Sequence, residues 1–117
     1  MEKRRHKRWL LTKPLKIYNK QSNIHIGNLI DITTGGLGMV SKYPLKPDST
    51  VKFEIDLSDE KVKFDSIELK AKNVWCEEKL LNRYFAGLEF ENINEDLVNK
   101  IKDVILHYGY TAHESHA

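Results

Sequence analysis

The chain has 117 residues, of which 40% are hydrophobic and 31% charged; that suits one compact, soluble domain and excludes both a second independent core and a disordered polymer. The net charge of +2 is unevenly spread, because residues 1–20 hold eight Lys or Arg and one Glu (+7) while the remainder holds eleven basic and sixteen acidic residues (−5). An acidic body with a basic start favours an anionic partner for the start and argues against broad nucleic-acid coating.

The first segment, residues 1–12, reads as a basic N-terminal arm containing Arg4-Arg5-His6-Lys7-Arg8. Neither a stretch of about 18 apolar residues nor an apolar segment after the basic start is found, so neither a spanning helix nor a secretory signal is expected, and the cytoplasm is the expected compartment. Trp9 is expected to pack on the wall of the fold and anchor the arm.

From Leu15 the apolar residues alternate, as in strands with one buried face: Leu15 and Ile17, Ile24 and Ile26, then Val51, Phe53, Ile55 and Leu57. Polar stretches at residues 19–23, 46–49 and 57–60 punctuate them. Ile67, Leu69 and Ala71 share one parity and Val74 and Cys76 the other, which implies a one-residue bulge near Lys72 or Asn73. Cys76 is the only cysteine, so no intramolecular disulfide is possible and a buried thiol is expected. After a turn at residues 79–82, Tyr84, Ala86, Leu88 and Phe90 form a last strand in which Gly87 permits close backbone approach. The pattern gives roughly six strands in a barrel or sandwich.

The period then changes. Leu97, Ile101, Val104 or Ile105, and Tyr108 lie on one helical face, with Asn94 as N-cap, Glu95 and Asp96 in the first turn and Gly109 at the end. Residues 13–110 are read as the folded body and residues 111–117 as a disordered tail.

Two local features could carry chemistry. Arg4 and Arg8 flank the basic run, and an arginine fork can grip a phosphate or the O6 and N7 acceptors of guanine. Asp31-Ile32-Thr33-Thr34-Gly35-Gly36-Leu37-Gly38 is a glycine-rich turn; its glycines allow positive φ and expose N–H groups to an anion, Thr33 adds a hydroxyl, and Asp31 can accept from guanine N1–H and N2–H. Taken alone, each has a plain reading as well, a solvated basic tail and a structural turn.

Together they resemble the PilZ family, whose signature is R-x-x-x-R in an N-terminal arm followed by D/N-x-S-x-x-G in a turn between strands. Arg4 and Arg8 match the first, and Asp31, Thr33 and Gly36 the second, with Thr33 where the family usually has Ser. Leu37-Gly38-Met39, Val74-Trp75 and Gly87-Leu88-Glu89-Phe90 continue the likeness to the C-terminal helix. The resemblance implies a mostly β fold, a six-stranded antiparallel split barrel with one C-terminal α-helix. It also implies a receptor for cyclic di-GMP, with a ligand-binding set of Arg4, Arg5, Arg8, Asp31, Thr33, Gly35 and Gly36. No cofactor is implied beyond that ligand.

The expected role is therefore a receptor whose arm orders on binding the nucleotide and which signals to a partner protein. The alternative is a PilZ-like interaction module that does not bind the nucleotide. Nucleic acid and membrane insertion are not expected. Neither is catalysis, since no nucleophile with a base, paired carboxylates or metal-ligand spacing can be assembled, and His113 and His116 have no partner ligands. Trp75 is read as packing first and as a stacking platform second.

Overall fold

The computed structural model of the chain describes residues 9–58, 62 and 64–110. Its strands, in chain order, are β1 (Trp9–Asn19), β2 (His25–Ile32), β3 (Gly36–Ser41), β4 (Thr50–Asp56), β5 (Ser66–Leu80) and β6 (Arg83–Glu91). The helix α1 (Glu95–Tyr108) follows and leads directly into a two-residue strand, β7 (Gly109–Tyr110). Alternation explains the strands well: in β4, Phe53 and Ile55 are fully buried while Lys52 is exposed, as a pleated strand with one core face requires.

All strand pairings are antiparallel. The expected six-stranded split barrel is corrected here. Among the described residues the sheet has seven strands in the order β2-β3-β6-β5-β4-β1-β7, with β1 also pairing to β2; the sheet curls into a ring-like form without closing into a barrel. The cause lies in β1. Its ladder to β2 jumps from Leu10↔Asp31 to Leu15↔Leu29, so five steps of β1 answer two of β2, and the break contains Pro14, which has no N–H to donate. On its other side β1 gives only Ile17, Tyr18 and Asn19 to β4 and turns Leu10 and Leu11 to β7.

Inside the curl lie Leu15, Ile17, Leu29, Ile32, Met39, Phe53, Ile55, Leu57 and Ile67, and α1 adds Ile101, Val104 and Tyr108. Each such side chain contributes about 1.5–3 kcal/mol on burial. The helix begins as the sequence expects: Asn94 Oδ1 accepts from the Leu97 amide at 2.8 Å, with Glu95 and Asp96 in the first turn. It also ends where the sequence expects, with Gly109 as the C-cap. Gly109 is extended (φ −88°, ψ 148°) and donates to the Ile105 carbonyl, so the chain leaves α1 straight into β7 instead of through a left-handed cap.

The bulge in β5 falls between Asn73 and Trp75, close to where the parity change puts it. Cys76 packs against the core but is half-buried, and Val74 is 58% exposed instead of facing inward. Asn73 is buried and pins the β3–β4 connection. Its Nδ2 donates to the carbonyls of Leu45 (3.3 Å) and Lys46 (3.0 Å), its amide donates to Ser49 O, and its carbonyl accepts from Asp48 N. Replacing it with alanine strands the two loop carbonyls, so Asn73→Ala is expected to lower unfolding free energy by about 1–3 kcal/mol. Urea denaturation measures this, and a midpoint unchanged from wild type counts against the anchoring role.

Candidate functional site

The turn between β2 and β3 is organised by one hydroxyl. Thr33 Oγ1 accepts from the amides of Gly35 and Gly36, both at 2.9 Å, and donates to Gly36 O at 3.3 Å. The Thr33 amide donates to the same Gly36 carbonyl at 2.8 Å, and Gly35 O accepts from Phe90 N at 2.9 Å. The Gly35 and Gly36 amides are thus turned inward to the turn itself, and no described glycine has positive φ. The left-handed positions are held by Asn23, Asp48, Asn82 and Asn92, residue types that tolerate that region.

The glycines serve close approach instead. A Cβ at Gly36 would collide with the Leu88 carbonyl oxygen of β6. A Cβ at Gly38 would lie 2.6 Å from Asp31 Oδ1, so the Asp31 carboxylate sits directly over Gly38. At Gly87 it would strike Trp75 Nε1, so the indole covers Gly87. Register joins these positions into a single row across the sheet: Leu10 pairs with Asp31, Asp31 with Gly38, Gly38 with Gly87, and Gly87 with Trp75.

Directly paired residues share a face, and the neighbouring row of Ile32, Leu37 and Leu88 is the buried one. The Asp31 row therefore lies on the outer face of the sheet, with two side chains leaning over bare backbone. Asp31 is only 8% exposed, whereas Trp75 is 41% exposed. An acceptor carboxylate and an aromatic surface on adjoining strands, floored by glycines, can hold a flat heteroaromatic ring by its donor edge and its face.

Of the residues singled out from sequence, Asp31, Thr33, Gly35 and Gly36 are brought together at this turn. Arg4, Arg5 and Arg8 lie outside the described residues. Trp9, the first described residue, is half-buried against the core and pairs with Ile32, while Leu10 pairs with Asp31; the start of β1 therefore runs beside the turn. Sequence reasoning put Trp75 in packing first and in stacking second, and left Gly38 and Gly87 out of the site. The signal that unites the three is cross-strand register, which alternation along single strands does not carry.

A family model described as "PilZ domain" matches residues 2–107. Among curated proteins, an uncharacterized protein of Aquifex aeolicus (strain VF5) is 34% identical over 64 residues, covering 54% of this chain and 31% of that protein, so the chain spans about a third of its length. Among solved structures, the PilZ domain of YcgR from Escherichia coli with c-di-GMP is similar at a TM-score of 0.71 and 14% identity, with 91% of each chain covered. The K. pneumonia MrkH–c-di-GMP complex gives 0.70 and 18%, covering 91% of this chain and 52% of that one. The Bacillus subtilis inhibitor of motility (MotI/DgrA) gives 0.66 and 17%, covering 92% and 52%. At these identities the structures speak to the fold alone. The sequence match over residues 2–107 settles the family: this chain belongs to the PilZ domain family.

Proposed function

We propose that this chain is a cytoplasmic, non-catalytic receptor domain for cyclic di-GMP, which binds on the outer face of the sheet over the Asp31 row. The observation that carries the reading is the pairing of Leu10 with Asp31 and of Trp9 with Ile32. Arg8 is one peptide bond from Trp9, about 3.8 Å between Cα atoms, and Arg4 is four residues further, a reach of at most about 14 Å. Both guanidinium groups are therefore within range of a ligand over Asp31. Support also comes from the similar YcgR PilZ domain and MrkH structures, both of which were solved with c-di-GMP.

In this reading Asp31 accepts from guanine N1–H and N2–H, while Arg4 and Arg8 close over the phosphates and the O6 and N7 acceptors. Arg5 adds positive potential. Thr33 acts through shape: its hydroxyl is occupied by Gly35 and Gly36 and fixes the bend that sets Asp31 against Gly38. Gly35 and Gly36 contribute backbone at that bend. Trp75 offers its exposed face to the purine. The segment ahead of Trp9 then acts as an arm that orders on binding and offers a changed surface to a partner protein, and an unpaired Cys76 suits a reducing compartment.

Isothermal titration of cyclic di-GMP is expected to give saturable binding that GTP and cyclic di-AMP do not reproduce. Arg8→Ala and Asp31→Ala should each weaken it by about 1–3 kcal/mol. Unchanged affinity in both variants would rule out this arrangement of Arg8 and Asp31, and a wild type that binds no cyclic di-GMP would leave the domain as an interaction module without nucleotide recognition.

The glycine floor gives a separate test. In a Trp9→Phe background, which leaves Trp75 as the sole indole, saturating nucleotide should change the emission of Trp75. A Gly87→Ala substitution lifts the indole off its seat, and should shift the resting emission to the red and weaken binding by about tenfold or more. An emission spectrum indifferent to both nucleotide and substitution would remove Trp75 from the site.

A further inference from the structure

At the opposite pole of the sheet from the Asp31 turn, the β5–β6 hairpin ends in two adjacent leucines. Leu80 pairs with Arg83 to close the turn, Asn82 takes the left-handed conformation (φ 60°), and Glu78 Oε2 accepts from its amide at 3.1 Å. Asn82 and Glu78 thus complete the turn without help from the leucine side chains. Leu80 is 63% exposed and Leu81 86%, and Tyr43 beside them is 76% exposed. Turn positions favour Gly, Asn, Asp, Ser and Pro, so Leu81 has no local reason to stand there.

A cleft of about 490 Å³ lies between this tip and the β3–β4 connection, lined by Lys42, Tyr43, Pro44, Leu81, Arg83 and Tyr84 with Asn82. A second cleft of about 280 Å³ adjoins it and shares Lys42, Tyr43 and Arg83. Neither is lined by a carboxylate. Lys42 and Arg83 make no ion pair among the described residues, whereas the nearby Lys79 is engaged by Glu77 at 3.7 Å and lies over the Phe85 ring. On a body that carries −5 beyond residue 20 (eleven basic, sixteen acidic), two uncompensated cations around an aromatic and aliphatic cleft form a local reversal of charge.

We infer that this pole is a docking surface for an acidic segment of a partner protein, with one apolar side chain of that segment seated between Tyr43, Leu81 and Tyr84 and its carboxylates gripped by Lys42 and Arg83. The charge pattern selects this occupant. A second copy docked through the same patch would set Lys42 and Arg83 against their own equivalents, like charges across an isologous contact. An anionic bilayer could take up Leu81, but a flat surface leaves the cleft unfilled and presses on Glu77 and Glu78 of the same hairpin. A carboxylate-bearing peptide fills the cleft and meets both cations.

The test uses the full chain without nucleotide, so its outcome is independent of the receptor reading. Random linear peptides displayed on phage are selected on the wild type and counter-selected on a Leu81→Ser/Arg83→Glu double variant. Both substituted positions are exposed, and retention of the wild-type unfolding midpoint verifies the fold. Selected sequences should share acidic residues around an apolar or aromatic one, and synthetic versions should bind the double variant about tenfold or more weakly. Amide shifts on binding should centre on Lys42, Tyr43, Leu81 and Arg83. Selected peptides that lack carboxylates, or that bind the double variant equally, would overturn the inference. So would co-sedimentation with phosphatidylglycerol vesicles that is lost in the double variant, or a concentration-dependent dimer that the double variant abolishes.

Discussion

Strands β3 and β6 meet through Gly38 and Gly87, and the outer face of the sheet depends on that bare contact. Each glycine leaves a space the size of a methyl group, and each space is taken by a side chain from the next strand along: the Asp31 carboxylate on one side, the Trp75 indole on the other. Without the glycines neither side chain could lie flat, and a polar acceptor and an aromatic face would point apart into solvent. Local backbone geometry is thereby converted into an ordered pair of surfaces over which a planar ligand can be held.

The same economy explains where glycine is absent. The left-handed turn positions go to Asn23, Asp48, Asn82 and Asn92, whose short polar side chains make that region accessible. Glycine is kept for sites of steric contact, at Gly36 against Leu88 as well as at Gly38 and Gly87. Thr33 then closes the β2–β3 turn with its side chain, replacing the hydrogen bonds that a glycine-dependent turn would leave to backbone or ligand.

Much of this was legible in the sequence wherever the signal is local. Alternation in β4 and β6, the parity change before Trp75, and the three-to-four spacing of Ile101, Val104 and Tyr108 each follow from side-chain direction, and the elements lie where those patterns put them. The turn that carries Asp31, Thr33 and Gly36 was likewise readable as a turn between strands. What escaped is non-local. A two-residue strand such as β7 has no period to detect, and its existence depends on Leu10 and Leu11 being free to pair with it. The interruption of β1 at Pro14 could be suspected from one residue, but its effect on closure depends on which partner each flank chooses. The seating of Asp31 and Trp75 over glycines requires the register of four strands at once.

The interruption in β1 also sets where the ring is mechanically softest. The β3–β6 and β4–β5 ladders run through six and seven residue pairs without a shift, whereas β1 holds β4 through three and contacts β2 discontinuously, and β2 meets β3 through four pairs with a shift between Leu29 and Asp31. Sub-global opening follows the path that breaks the fewest bonds, so opening is expected along β1 and its junction with β2, and the β3-β6-β5 wall is the more continuously bonded part. The Asp31 turn stands astride the boundary between the two, anchored to the wall through Gly38 and hinged to the loose strand through Leu10.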